Sequence, residues 1–408
     1  MKRTLAALGA VAALAVALTA ARAPGPTLLL ISLDGWRWDY HTRAPVKNLR
    51  SLMARGVRAE ALIPGFPTKT FPNHYTLVTG LYPGHHGVVG NTMRDPRSGR
   101  IFAMHKREEV GDPMWWSGDP IWNAVQRAGG ASAAMFWPGS EAPIGGRRPT
   151  YWMPYDQDRS NSSRVDQVLA WLDLPGAARP AFITLYMSDV DAAGHRFGPD
   201  SPEVQRALER VDDMLGRLLR GLERRRMLDE INIVVTSDHG MAETSRQRVV
   251  FVDDLVNASD GEIVDMNPTL GVWPTSGRAD AVYRKLVTAH PRLSIYRRAE
   301  TPAHWHYRDH ERIAPIVGVA DEGWSVMRRA NIIDAFARNI RRVGGNHGYD
   351  PRVQSMHALF VAAGPAFKHN VVVPPFENVH VYDVMCRVLG IDPAPNDGDP
   401  GVAPSLLR

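Results

Sequence analysis

INIVVTSDHG, residues 231–240, is a nearly unbroken run of apolar and β-branched residues that stops on Asp238, His239 and Gly240. A strand with one face in water would alternate apolar and polar. A continuous run reads as a strand buried on both faces, the habit of parallel sheets. TLLLISLDG (27–35), PAFITLYMSD (180–189) and MHALFVAAGP (356–365) have the same form. Between them, Val204, Leu208, Val211, Leu215, Leu218 and Leu222 recur at helical steps behind Ser201 as N-cap and Pro202 in the first turn. This spacing predicts a helix over 202–226. Strands alternating with helices imply an α/β fold, a central mostly parallel sheet flanked by helices on both faces. The segment 246–331 breaks the pattern with VVFVDDL, GVWPTSG, the helical ADAVYRKLVTAH and the His-rich PAHWHYRDH, and is read as a small α+β insertion.

The 408 residues are 44% hydrophobic and 22% charged, a balance that excludes a disordered chain. Lys2 and Arg3, an apolar run to Ala20 and the end Ala21-Arg22-Ala23 have the three parts of a secretory signal peptide. Residues 1–23 are therefore expected to be removed on the way to the periplasm or the medium, leaving 24–408 as one unit. Without them the formal charge falls from +5 to +2, too little for a concentrated basic face, so no stable nucleic-acid partner is expected. No later apolar run is long enough to span a bilayer, and no coiled-coil or repeat pattern calls for an oligomer, so a monomer is expected. Cys386 is the one cysteine, which excludes an intramolecular disulfide, and its place in VYDVMCRVLGI reads as a buried small hydrophobe.

In open α/β sheets ligands gather beyond the carboxyl ends of strands. Asp34 closes LLLISLD, Asp191 and His195 follow ITLYMSD, Asp238 and His239 close IVVTSD, and His347 stands in VGGNHGYD ahead of the last strand. Singly, each is explained as a helix cap or a turn residue. Together, three carboxylates and three imidazoles fit the mixed nitrogen and oxygen set of zinc, whereas magnesium or calcium would take oxygen almost throughout. Six ligands suit two ions better than one. Asp191 and His195, four apart, fall on one helical face. Asp238 and His239 are adjacent and can share an ion only where the strand bends into the Gly240 turn.

PTKTFPNHYTLVTGLYPGHHG, residues 67–87, reads as a loop entering a helix near 70–73. A threonine hydroxyl there is either a simple cap or a group that gains from the helix dipole beside a bound phosphate.

The ordered set LDG, KTFPNHYTLVTGLYP, HGVVGN, FWPGS, DAAGH, SDHGM and GNHGYD resembles the nucleotide pyrophosphatase/phosphodiesterase family of the alkaline phosphatase superfamily, across residues 27–396. The resemblance implies an alkaline-phosphatase-like sheet and two zinc ions per chain. One would be held by Asp191, His195 and His347, the other by Asp34, Asp238 and His239, with Thr70 between them as nucleophile and shared ligand. Asn91, with the Thr70 and Phe71 backbone N–H groups, would stabilise the phosphoryl oxygens. A nucleobase would lie between Phe71 and Tyr155, with Tyr186 lining the pocket. The implied reaction is hydrolysis of nucleotide diesters and nucleoside triphosphates through a phosphothreonine, releasing nucleoside 5′-monophosphates. A phosphomonoesterase or a choline-phosphodiester lipid hydrolase of the same superfamily would share the metal ligands; Phe71 and the KTFPNHY segment favour the nucleotide diester. His74, His85, His86, His304, His306 and His310 are read as turn, packing and loop residues, and Trp115 and Trp116 as bordering the cleft or packing.

Overall fold

The computed structural model describes residues 26–331 and 343–408, and the leader expected over 1–23 lies outside them. Thr27–Leu33 lies inside an eight-stranded sheet, with Pro180–Met187 parallel on one side and Ile231–Thr236 parallel on the other. Ala131–Met135 and Tyr151–Trp152 extend the first side, also parallel. On the second side Phe360–Ala363 runs antiparallel to Ile231–Thr236 and to Val57–Ala59, and Val371–Val373 forms the edge. The mostly parallel sheet is thus reversed at the last apolar run. That strand is as buried as its parallel neighbours, with Phe360 and Ala362 at 0% exposure. Its composition reports burial on both faces and carries no information on direction.

The two faces are separate cores. Leu28 and Leu30 pack on one side with the helices Thr70–Thr79, Ile121–Arg127 and Val381–Leu389; Leu29, Ile31 and Leu33 pack on the other with Lys47–Arg55, Asn161–Leu172 and Pro202–Arg224. Period-two alternation therefore feeds both layers from one strand. The Pro202–Arg224 helix is capped as its sequence predicts, the Ser201 hydroxyl accepting from the Val204 N–H. Cys386 is buried, and burial pushes its thiol up to about 12.

A second, antiparallel sheet has its own core of Leu270, Val272, Val282, Leu286, Ile295 and Ile316. Its strands lie in the order Gly261–Met266, Thr269–Pro274, Ile316–Ala320, Leu293–Arg297, and a bulge between Ile263 and Asp265 re-aims the first. A ribbon of Ala242–Ser245 with Val343–Asn346 joins this region to the main sheet. The hairpin tip reaches the His347 loop, where Asn346 Nδ2 donates to Asn267 Oδ1 at 2.9 Å. Among the described residues no helix is long and apolar enough to cross a membrane.

Candidate active site

Each carboxylate or imidazole singled out by its place after a strand reaches one hollow at the carboxyl edge of the main sheet. Asp34 follows Thr27–Leu33, and Gly35 turns the chain at φ +69°; a Cβ on it would lie 2.8 Å from Asp191 Cα. The missing side chain lets the Asp34 turn sit against the helix Asp189–Phe197. On that helix His195 Nε2 lies 3.3 Å from Asp191 Oδ1, as the four-residue spacing requires. Asp238 and His239 stand past the end of Ile231–Thr236, in the bend, with Asp238 Oδ2 2.9 Å from His239 Nε2. Gly240 permits this bend, since a Cβ there would lie 2.2 Å from the Ser355 carbonyl oxygen.

The three imidazoles are oriented alike. Nδ1 of His195 donates to the Gly345 carbonyl at 2.9 Å, that of His239 to Gly240 at 2.9 Å, and that of His347 to Thr68 at 2.8 Å. A carbonyl only accepts, so each Nδ1 carries a proton and each ring turns its Nε2 inward, the arrangement seen behind metal-ligating histidines. His195 and His347 Nε2 stand 3.1 Å apart, with Asp191 Oδ1 at 3.3 and 3.7 Å from them. Asp34 Oδ1 lies 3.5 Å from His239 Nε2, beside Asp238. Asp34 Oδ1, Asp191 Oδ1 and Asp238 Oδ2 are all buried without a hydrogen-bond donor. Lone pairs facing one another in two groups are unfavourable unless cations lie between them. The ligand atoms of Asp34, Asp238 and His239 gather within 4.8 Å, as do those of Asp191, His239 and His347, with His195 adjoining the second group rather than within it. Two such mixed nitrogen and oxygen clusters are what a two-zinc centre needs. His239 stands at their junction, common to both.

The electrostatics reflect this crowding: burial opposes charge on His239, yet the neighbouring charges of Asp238 and then Asp191 raise it above its ordinary value. Burial, then the charges of Asp238 and Asp191, hold the Asp34 carboxyl well above the usual carboxylate range, against the Tyr186 hydroxyl that donates to it. Burial works in the same direction on Asp238, yet His239 and His74 beside it bring it well below. Burial, His239 and His195 keep His347 far below its ordinary value, as a neutral ligand.

Thr70 is the first residue of the helix Thr70–Thr79, and its Oγ1 lies 3.3 Å from His239 Nε2. The N–H groups of that helix end favour a phosphoryl group beside the hydroxyl. The Phe71 N–H, expected to face a phosphoryl oxygen, instead donates to Asn91 Oδ1 at 3.0 Å. It fixes the oxygen end of the Asn91 amide. His74 is a site residue that sequence reasoning left as packing. It is fully buried; its Nδ1 donates to the Thr70 carbonyl at 2.9 Å and lies 3.3 Å from Asp238 Oδ2, while Nε2 meets Ser32 Oγ at 2.7 Å. Its position one helical turn after Thr70 was the available clue.

Residues 28–350 match the family model described as type I phosphodiesterase / nucleotide pyrophosphatase. The chain belongs to this family. It is 37% identical to human ectonucleotide pyrophosphatase/phosphodiesterase family member 5 over 372 residues, 91% of this chain and 76% of that one. It is 38% identical to the bis(5′-adenosyl)-triphosphatase of Xenopus laevis, covering 91% of this chain and 80% of that one. The solved structure of murine ectonucleotide pyrophosphatase/phosphodiesterase 5 superposes with a TM-score of 0.88 at 36% identity, covering 94% of this chain and 100% of that one. An inactive threonine-to-alanine variant of that murine protein, in complex with AMP, superposes at 0.87 with 36% identity, covering 93% and 100%.

The aromatic residues of this phosphodiesterase surround the hollow unequally. Phe71 is partly exposed and packs on Phe102 and Trp116, with ring centroids at 5.7 and 6.1 Å. Trp115 and Trp116 are themselves buried, so they back the wall. Tyr155 is exposed and leans edge-on against Phe136 and Tyr186. Tyr186 is nearly buried, and its hydroxyl donates to Asp34 Oδ2 at 2.5 Å, which makes it a support of a candidate metal ligand as well as of Tyr155. Tyr186→Phe is expected to weaken zinc binding about 10- to 100-fold in competition with a chromogenic chelator. Unchanged zinc affinity with a raised KM for nucleotides would confine Tyr186 to the base pocket. The His304–His310 cluster gathers no metal site: His304 pairs with Asp350, His306 stacks on Tyr82, and His310 packs beneath Gly87.

Proposed function

We propose that the chain, as one catalytic unit over 24–408 with an insertion at 246–331, hydrolyses nucleotide diesters and nucleoside triphosphates through a covalent phosphothreonine on Thr70. The observation that carries this is the Thr70 hydroxyl, 3.3 Å from His239 Nε2, at a helix N-terminus that opens on both ligand clusters. Zinc bound by Asp191, His195 and His347 and by Asp34, Asp238 and His239 would supply the charge that acidifies the Thr70 hydroxyl and stabilises the leaving oxygen.

Thr70 Oγ1 forms a bond to phosphorus as the bond to the leaving oxygen breaks on the opposite side. Asn91 Nδ2, held by the Phe71 N–H, donates to a non-bridging oxygen throughout, a contribution commonly worth about 3 kcal/mol when charge develops there. Water then attacks the phosphothreonine, the Thr70 hydroxyl is restored and the nucleoside 5′-monophosphate departs. Phe71 and Tyr155 would stack on the base, and stacking tolerates any base. The murine neighbour's complex with AMP supports such a product, and the Xenopus relative's name supports pyrophosphate-linked substrates. With residues 1–23 removed, the protein would act as a monomer in the periplasm or the medium, with no stable nucleic-acid partner.

A nitrophenyl ester of a nucleoside 5′-monophosphate and nitrophenyl phosphate, each with and without a chelator, test the reading. The diester is expected to turn over faster, and both activities to vanish with the chelator. A faster monoester would establish a phosphomonoesterase instead, and selective cleavage of a choline phosphodiester would establish the lipid hydrolase.

A further inference from the structure

Lys69 directly precedes the nucleophile, yet its ammonium is turned away from the hollow. At 4% exposure, Nζ donates to the two oxygens of Asp265 at 2.9 and 2.8 Å and to Thr269 Oγ1 at 2.6 Å. The Thr269 hydroxyl in turn donates to Asp265 Oδ2, closing a triangle. Both partners come from the second sheet, where the bulge after Ile263 aims Asp265 inward and Thr269 opens the returning strand. The triangle lies between the loops that carry the candidate phosphate and metal contacts. A Cβ on Gly348, next to His347, would stand 3.2 Å from Lys69 Cε, and one on Gly90, next to Asn91, would stand 3.7 Å from Asp265 Cγ. The unit positive charge on the residue before the nucleophile, close to the loops of His347 and Asn91, is thus paired with a carboxylate more than a hundred residues away in the chain.

A phosphodiester carries one negative charge. A phosphomonoester carries nearly two above its second ionisation at roughly pH 6. An uncompensated cation in a partly dry site would favour the second over the first. We propose that Asp265 and Thr269 determine specificity through Lys69: they neutralise it, withhold that extra charge from a dianion, and so favour the diester and speed release of the dianionic monophosphate product. This rests on the diesterase reading above.

The test is the ratio of kcat/KM for nitrophenyl phosphate to that for the nitrophenyl nucleotide diester, followed as the local charge is stepped. Asp265→Asn leaves a net positive charge, and the ratio should rise on the order of tenfold. Lys69→Met leaves a net negative charge, and the ratio should fall by a similar factor. The Lys69→Met/Asp265→Asn pair restores neutrality and should return the ratio to near the wild-type value. A triangle that only fastens the hairpin to the loop would change both substrates alike, and a flat ratio across the series overturns the proposal. If Asp265→Asn does not fold, Lys69→Met against the double variant decides it. A binding readout stands beside the kinetics: in a Thr70→Ala background, calorimetry should find AMP bound more tightly with Asp265→Asn and more weakly with Lys69→Met, and equal affinities overturn the idea. A wild-type enzyme that prefers the monoester would overturn the diesterase reading, whereas a wild-type diesterase with a flat series overturns only the role given to the triangle.

Discussion

Thr70→Ala is expected to lower kcat on a nucleotide diester by about 10³-fold or more while leaving the protein folded and its zinc content nearly unchanged. The hydroxyl is the only atom on the Thr70 side chain that can form the covalent intermediate, and it does not cap its own helix: Lys69 is the N-cap, and the Thr70 hydroxyl instead meets His239 Nε2 at 3.3 Å. Alanine suits the first helical turn, so stability should change little. The six candidate ligands stay in place, because none of the three Nδ1 bonds that aim the imidazoles involves Thr70's side chain. Rapid quenching of the wild-type enzyme with substrate should trap phosphate on Thr70, and the variant should give none. Near-normal turnover in the variant would remove Thr70 from its assigned role.

Stripping zinc should abolish activity and lower Tm on the order of 10 °C, the scale set by ions bound well above their dissociation constants. The cost comes from what remains: three buried carboxylate oxygens without donors and Asp34 crowded by Asp238 and Asp191. Because the folded-state value of Asp34 is raised, the metal-free native protein binds its proton more readily than the unfolded chain. The carboxylate is therefore a penalty above that raised value, and the penalty disappears as pH falls below the ordinary aspartate value. Asp34→Asn removes it in another way, since the amide oxygen can still accept from Tyr186. The metal-free variant should melt no lower than the metal-free wild type and respond less to added zinc. An unchanged wild-type Tm on chelation would show that the clusters do not hold ions that stabilise the fold.

Asp34, Asp238 and His239 were legible because each stands just past a strand, where an Asp or His breaks an apolar run, and Asp191 and His195 because their four-residue spacing sets both on one helical face. Their supports were not. His74 looks like any helical histidine until Asp238 is folded against it, and Tyr186 looks like a pocket residue until its hydroxyl meets Asp34. The Lys69–Asp265 contact joins positions 196 apart and leaves no local mark at either end. Direction was invisible for a different reason. Phe360–Ala363 has the composition of a parallel strand because both its faces are covered, and coverage is all that composition records.

The placing of Thr27–Leu33 inside the sheet governs the order in which the molecule can be assembled. This strand is made first, but its two neighbours, Pro180–Met187 and Ile231–Thr236, are made far later. The edge of Ile231–Thr236 must then wait for Phe360–Ala363. Such long-range pairing folds slowly, since the loops must close before any contact rewards them. His347 is the last ligand to leave the ribosome, so a chain stopped short of it can form much of the sheet but cannot complete the site.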